Sequence, residues 1–260
     1  MSSTHAGVML AGETNAGLVR RGNEDNFCVI SPRAGKPAFA VIADGVGGHT
    51  NGALASYICC RDLASAFLKA EPESLASPLV AAEFFRGVVK QVNAKIFRFN
   101  LSRRLARPMG TTLVGVLVYP DMVVMVNVGD SRCYSWEAGA GLRQRSTDHN
   151  LRTELRREIR RRIKVDVAVA GNIICRAVGP RSELKLELKL LPRSPDSRWL
   201  LCSDGVYREI ADGDLSRFVA AAATPREAVG AIMREALLRG ARDNLTAVGI
   251  FPENSGEKER

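Results

Sequence analysis

The stretch AVIADGVGGHTNGALAS, residues 40–56, runs a short apolar segment into Asp44 and follows it with Gly45, Gly47, Gly48 and Gly52 before a helical pattern begins. Glycines let a backbone approach a ligand closely, although an Asp-Gly step taken alone is a turn signal. Asp44 has company. Glu24-Asp25 precedes one apolar run, Asp130 follows another, Asp204 follows a third and is again succeeded by glycine, and Asp243 comes just before the last. None of these acids is read as paired with a cation three or four residues along a helix, so surface ion pairs are not expected of them.

Carboxylates gathered at the ends of adjacent strands repel one another, which raises their pKa values and costs stability. A divalent cation removes that difficulty. An all-oxygen donor set without Cys or His selects a hard ion, Mg²⁺ or Mn²⁺. Two such ions sharing a water lower its pKa and supply a hydroxide able to attack phosphorus, so the chemistry expected is hydrolysis.

The elements that must position these acids follow from hydrophobic patterning. β-like runs span Asn26–Ile30, Ala38–Ala43, Thr111–Val118, Met122–Val128, Arg132–Trp136, Leu184–Leu190, Trp199–Cys202 and Leu245–Phe251. The tight connections at Tyr119-Pro120-Asp121 and Gly129-Asp130 require antiparallel neighbours. KLELKL alternates apolar and charged residues, which places it near a sheet edge. Helical periodicity covers Ala53–Lys69, Pro78–Phe99, Leu151–Ile163 and Pro225–Arg239, the last with Thr224 and Glu227 as a capping box and Gly240 as its stop. Strands in series with helices in pairs predict an α+β fold of sheets packed on each other and covered by helices.

Eight segments in order, VRRGNEDNF, VIADGVGGH, MGTTLVGVLV, VNVGDSRCY, STDHN, ICRAVGP, LLCSDG and ARDNLTAVGIF, resemble the motifs of the metal-dependent protein phosphatases, the type 2C Ser/Thr phosphatases, in their compact bacterial form. The resemblance implies a central antiparallel β-sandwich flanked by helix pairs, a four-layer αββα arrangement. It also implies one phosphatase domain over residues 1–260, with a core at about 13–251 and a basic flap at about 150–172. Asp44, Asp204 and Asp243 would ligate two metal ions, Mn²⁺ or Mg²⁺, with the Gly45 carbonyl as a further ligand and Asp25 acting through metal-bound water. Arg20 would grip the substrate phosphate, a dianion that suits its planar fork of donors. Thr111 and Thr112 are expected to brace the sheet beneath the site. The implied activity is hydrolysis of phosphoserine and phosphothreonine in proteins, opposing a bacterial Ser/Thr kinase.

The chain departs from the family pattern in two places. Val46 stands where some members carry a histidine that protonates the leaving alkoxide, and His49, three residues on, is read as structural. Arg208 stands where an acid helps bind a third, looser metal, so Asp130 retains only one half of that possible third-metal site.

Composition limits the remaining readings. The 260 residues carry a net charge of +9, with the excess concentrated in RTELRREIRRRIK, residues 152–164. Such a run is ordinarily a solvated helix face, and beside a phosphate-cleaving site it would attract acidic phosphopeptides. No aromatic platform or DNA-binding motif accompanies it, so nucleic acid is not an expected partner; a basic nucleic-acid binder and a catalytically weak phosphoprotein-binding module are the alternatives. The six cysteines, with no CxxC pair, fit a reducing compartment, and no export signal or membrane span is read at the amino terminus or beyond. A cytoplasmic monomer acting on phosphorylated proteins, among them the kinase and its substrates, is expected.

Overall fold

The computed structural model describes residues 7–32, 36–47, 50–158 and 173–253. In chain order the strands are β1 (Val8–Asn15), β2 (Asp25–Ile30), β3 (Ala38–Val46), β4 (Gly110–Thr111), β5 (Leu113–Val118), β6 (Met122–Val128), β7 (Arg132–Glu137), β8 (Gly141–Gln144), β9 (Glu187–Pro192), β10 (Arg198–Cys202) and β11 (Leu245–Pro252). The helices are α1 (Thr50–Lys69), α2 (Pro78–Arg103), α3 (Leu151–Glu158), α4 (Asp204–Glu209), α5 (Asp212–Ala221) and α6 (Pro225–Leu238). Every strand pairing is antiparallel. One sheet has the order β1-β11-β10-β7-β8; the other has the order β2-β3-β5-β6-β9, with β4 beside β3.

Period-two alternation in β3 explains the layering. Ala38, Ala40 and Ile42 join Val114, Val116, Trp199, Leu201, Val248 and Ile250 in a core between the two sheets. Phe39, Val41 and Ala43 point the other way, into a core shared with Leu63, Phe67, Phe85 and Ile96 of α1 and α2. A strand buried on both faces reads as one apolar run, as AFAVIA does. A third core joins Leu200, Cys202 and Phe251 to Leu215, Val219, Ile232 and Met233 of α5 and α6. Helices, sheet, sheet and helices therefore stack as the expected four-layer αββα sandwich.

Several expected boundaries shift for local reasons. The run Thr111–Val118 divides at Thr112, whose N–H turns to the Asp44 carbonyl at 2.8 Å and so leaves β4 and β5 as separate strands. β9 lies at a sheet edge, as the alternation of KLELKL predicts. At α6, Thr224 accepts from the Glu227 N–H at 3.2 Å, but the Glu227 carboxylate reaches back to the Ala223 N–H, one residue earlier than a standard capping box. The sequence pattern does not announce β1, the short β8, the α4–α5 pair or the 3-10 turn at Pro72–Leu75. β1 mixes buried and open positions without clean alternation and owes its place to pairing along its whole length with β11, from Val8↔Pro252 to Asn15↔Leu245. Of the predicted helix Leu151–Ile163, α3 covers Leu151–Glu158; the remainder of the basic segment, 159–172, and His49 lie outside the described residues.

Candidate active site

β2 and β3 carry the first two acids. Asp25 and Asp44 are directly paired across the ladder, so their side chains leave the sheet on the same face. The Asp44 backbone is fixed on both sides: its N–H donates to Thr112 Oγ1 at 3.0 Å, and its carbonyl accepts from Thr111 Oγ1 at 2.9 Å. Thr111 and Thr112 are thus braces beneath the site, fully buried. Gly45 is required by crowding, since a Cβ there would lie 2.4 Å from the Gly52 backbone in α1.

Asp204 opens α4 directly after β10, and Asp243 stands just ahead of β11. The two segments touch main chain to main chain at Gly205, where a Cβ would sit 2.1 Å from the Asn244 carbonyl oxygen. Asn244 then ties in the loop bearing Arg20: its Oδ1 accepts from the Glu24 N–H at 2.9 Å, and its Nδ2 donates to the carbonyls of Ala16 and Gly22 at 2.9 and 2.8 Å. Arg20 reaches across to Asp243, Nη2 to Oδ2 at 2.7 Å. Arg20, Glu24, Asp44, Gly45, Asp204, Arg208, Asp243 and Asn244 line one cleft of about 280 Å³.

Asp25 and Asp130 are set deeper. Asp25 Oδ2 accepts from Ser203 Oγ and Thr246 Oγ1, each at 2.7 Å, while its Oδ1 is buried without a hydrogen-bond partner among the described residues. Asp130 is fully buried, and neither carboxylate oxygen has a hydrogen-bond partner there. Its carbonyl accepts from Tyr207 Oη at 3.0 Å. The Tyr207 ring lies under Arg132, 3.7 Å from guanidinium carbon to ring centroid, and Arg132 is held by both oxygens of Asp148 at 3.0 and 2.8 Å. Ser203, Thr246, Asn244, Tyr207 and the Arg132–Asp148 pair are supports that motif reading did not single out. Ser203 and Asn244 adjoin one of the site acids in sequence, and Arg132, Tyr207 and Thr246 lie within three residues of one, which is the signal that marks them.

The expectation that these acids lack ion pairs is corrected by the structure. Arg20 pairs with Asp243, and Arg208 Nη2 stands 2.8 Å from Asp204 Oδ2, four residues away along α4. Six residues are too few to show helical periodicity in the sequence, so the i, i+4 relation of Asp204 and Arg208 emerges only with α4. Arg208 also stands 3.7 Å from Asp130 Oδ2.

Electrostatics make the cluster a cation acceptor. Burial, then the charges of Asp25, Asp204, Asp130 and Asp243, hold the Asp44 carboxyl well above the usual carboxylate range. Burial pushes Asp25 up to about 7, against the hydrogen bonds from Thr246 and Ser203. Burial and Asp204 push Asp130 up to about 7. Burial raises Asp204 as well, against the Arg208 charge. No three His, Cys, Asp or Glu side chains among the described residues stand in a ready-made coordinating group. The orphaned Asp25 Oδ1 and the all-oxygen donor set fit a hard divalent cation.

A sequence model of the protein phosphatase 2C family matches residues 20–239, and the chain belongs to that family. It is 31% identical over 237 residues to the serine/threonine phosphatase stp of Listeria monocytogenes, which covers 90% of this chain and 92% of that protein. Among solved structures, serine/threonine phosphatase Stp1 from Staphylococcus aureus superposes with a TM-score of 0.85 at 26% identity over 98% of both chains. The catalytic domain of the serine/threonine protein phosphatase PstP, solved in complex with 2 manganese ions, gives a TM-score of 0.78 at 27% identity over 94% of this chain and 97% of that one.

Proposed function

We propose that the chain hydrolyses phosphoserine and phosphothreonine in proteins, in a reaction that depends on two Mn²⁺ or Mg²⁺ ions. The observation that carries this reading is the gathering of Asp25, Asp44, Asp204 and Asp243 at one end of the sandwich, with the carboxyls of Asp25, Asp44 and Asp204 held above the usual range and Arg20 paired with Asp243. Asp44, Asp204 and Asp243 would hold the ions, joined by the Gly45 carbonyl and, through water, by Asp25. The bound ions supply an activated water and offset the charge of the phosphate.

The chain's own residues do the rest. Arg20 presents a planar fork to two phosphate oxygens, and its existing partner Asp243 aims that fork into the cleft. Asn244 keeps the Arg20 loop in register with Asp243, so that phosphate grip and metal ligand move as one body. Val46 has no proton to give, and no general acid is assigned.

Phosphorylated proteins are the partners, and a Ser/Thr kinase is the opposing activity. A cytoplasmic site fits the six free cysteines. No helix among the described residues is long and apolar enough to cross a membrane. The test is release of phosphate from phosphoserine and phosphothreonine peptides with Mn²⁺, with Mg²⁺ and with EDTA. Turnover that persists in EDTA refutes the metal-dependent reading, and absence of turnover with either ion refutes the phosphatase reading.

A further inference from the structure

Asp130 and Asp204 present a buried pair of carboxylates beside the cleft, a combination that ordinarily takes up a cation. The position between them is already filled. Arg208 projects from α4 one turn beyond Asp204, and a single guanidinium nitrogen approaches both acids, at 2.8 Å from Asp204 and 3.7 Å from Asp130. The Asp130 oxygens have no hydrogen-bond donor among the described residues, so this charge is what faces them. The pair is held in place from behind: Tyr207 Oη fixes the Asp130 carbonyl, and Arg132 over the Tyr207 ring fixes the tyrosine.

We infer that Arg208 is a resident cation that occupies the place between Asp130 and Asp204, so that the protein takes up two divalent ions and excludes a third. This rests on the metal-dependent reading above. A third divalent ion would need oxygen ligands and would meet a fixed positive charge instead, with one of its two available carboxylates already paired. An acid at position 208 would reverse that sign and add a ligand. Arg208 is a positioning residue: it touches Asp204, and through Asp204 it restrains one wall of the cleft without contacting the phosphate itself. Because a guanidinium stays protonated, the charge at this position is independent of metal concentration.

Metal stoichiometry tests the inference apart from turnover. Mn²⁺ bound per folded chain is measured by equilibrium dialysis and elemental analysis, from micromolar to millimolar free metal, for the wild type and for Arg208→Asp. Circular dichroism melts verify folding. The expected result is a plateau of two ions for the wild type and a third, weaker equivalent for Arg208→Asp. A third ion on the wild type overturns the inference, as does a folded Arg208→Asp that stops at two. The wild-type arm decides alone if Arg208→Asp does not fold. Uptake of no ion by the wild type overturns the metal reading itself.

Discussion

Asp25 and Asp44 are direct partners in the β2–β3 ladder, two carboxylates set opposite each other on one face of a sheet. Like charges so placed destabilise a sheet, and here Asp25 is buried and both carboxyls are held above the usual carboxylate range. Asp25 is relieved by two hydroxyl donors; for Asp44, no ion pair occurs among the described residues. The arrangement loses stability in the metal-free state and gains it on binding a cation.

Removing Asp44 and removing Asp204 should therefore have different structural consequences. Both Asp44→Ala and Asp204→Ala should abolish Mn²⁺-dependent hydrolysis. Asp44→Ala relieves repulsion and should raise the metal-free melting temperature by about 2–4 °C, the shift of about 1 kcal/mol in a domain of this size. Asp204→Ala also strips Arg208 of its nearer partner, 2.8 Å away, and should give no such gain. Calorimetry in EDTA measures both; a fall in melting temperature for Asp44→Ala would contradict the repulsion account.

Arg20 and Arg21 adjoin in sequence, but only Arg20 reaches Asp243 and lines the cleft. Arg20→Ala should raise KM for a phosphopeptide about tenfold, the equivalent of about 1.4 kcal/mol, and should lower kcat as well. Arg21→Ala should leave both within about twofold. Steady-state kinetics decides, and equal effects from the two substitutions would remove Arg20 from the phosphate site.

The raised carboxyls set the pH response. Asp25 and Asp130 move from 3.8 to about 7 on folding, so between those values the folded state holds protons that the unfolded chain has lost. Their contribution to metal-free stability is greatest below about pH 4 and falls as pH rises through about 7. Cation binding in the cleft must displace the proton held at Asp25. Melting in EDTA should show stability declining across this window, and Mn²⁺ titrations at pH 6 in buffers of different ionisation enthalpy should report proton release that fades above pH 8. Stability that climbs steadily from pH 4 to 7 in EDTA would contradict the assignment.

The Arg132–Asp148 pair supports Asp130 from behind the cleft. Its side chains are 19% and 13% exposed, and both Asp148 oxygens engage the guanidinium. Asp148→Ala leaves Arg132 without its bidentate partner and should cost about 3–5 kcal/mol. Denaturant unfolding measures the loss; a cost under about 1 kcal/mol would mark the pair as equivalent to an exposed one.

Local chemistry wrote much of this protein into its sequence. The acids at strand ends can be read because an apolar run followed by Asp and Gly is one uninterrupted segment. The double-faced burial of β3 shows in AFAVIA because alternate residues enter two cores, and the capping at Thr224 and Glu227 is a matter of adjacent residues. Contacts between distant segments were decided by tertiary structure. β1 exists because β11, at the other end of the chain, offers it an unpaired edge, and its own eight residues lack the alternation that would announce a strand. The ion pairs of Asp243 and Asp204 depend on the Arg20 loop being anchored by Asn244, and on a short helix whose existence rests on packing over β11. Arg208 is a departure from a motif when read in sequence; α4 gives it Asp204 as a partner, and only the approach of β7's preceding turn to α4 brings a second carboxylate, Asp130, to its guanidinium. Hydrophobic periodicity and turn chemistry act over a few residues, whereas Coulomb interactions act between whichever groups the packed sheets bring within a few ångströms.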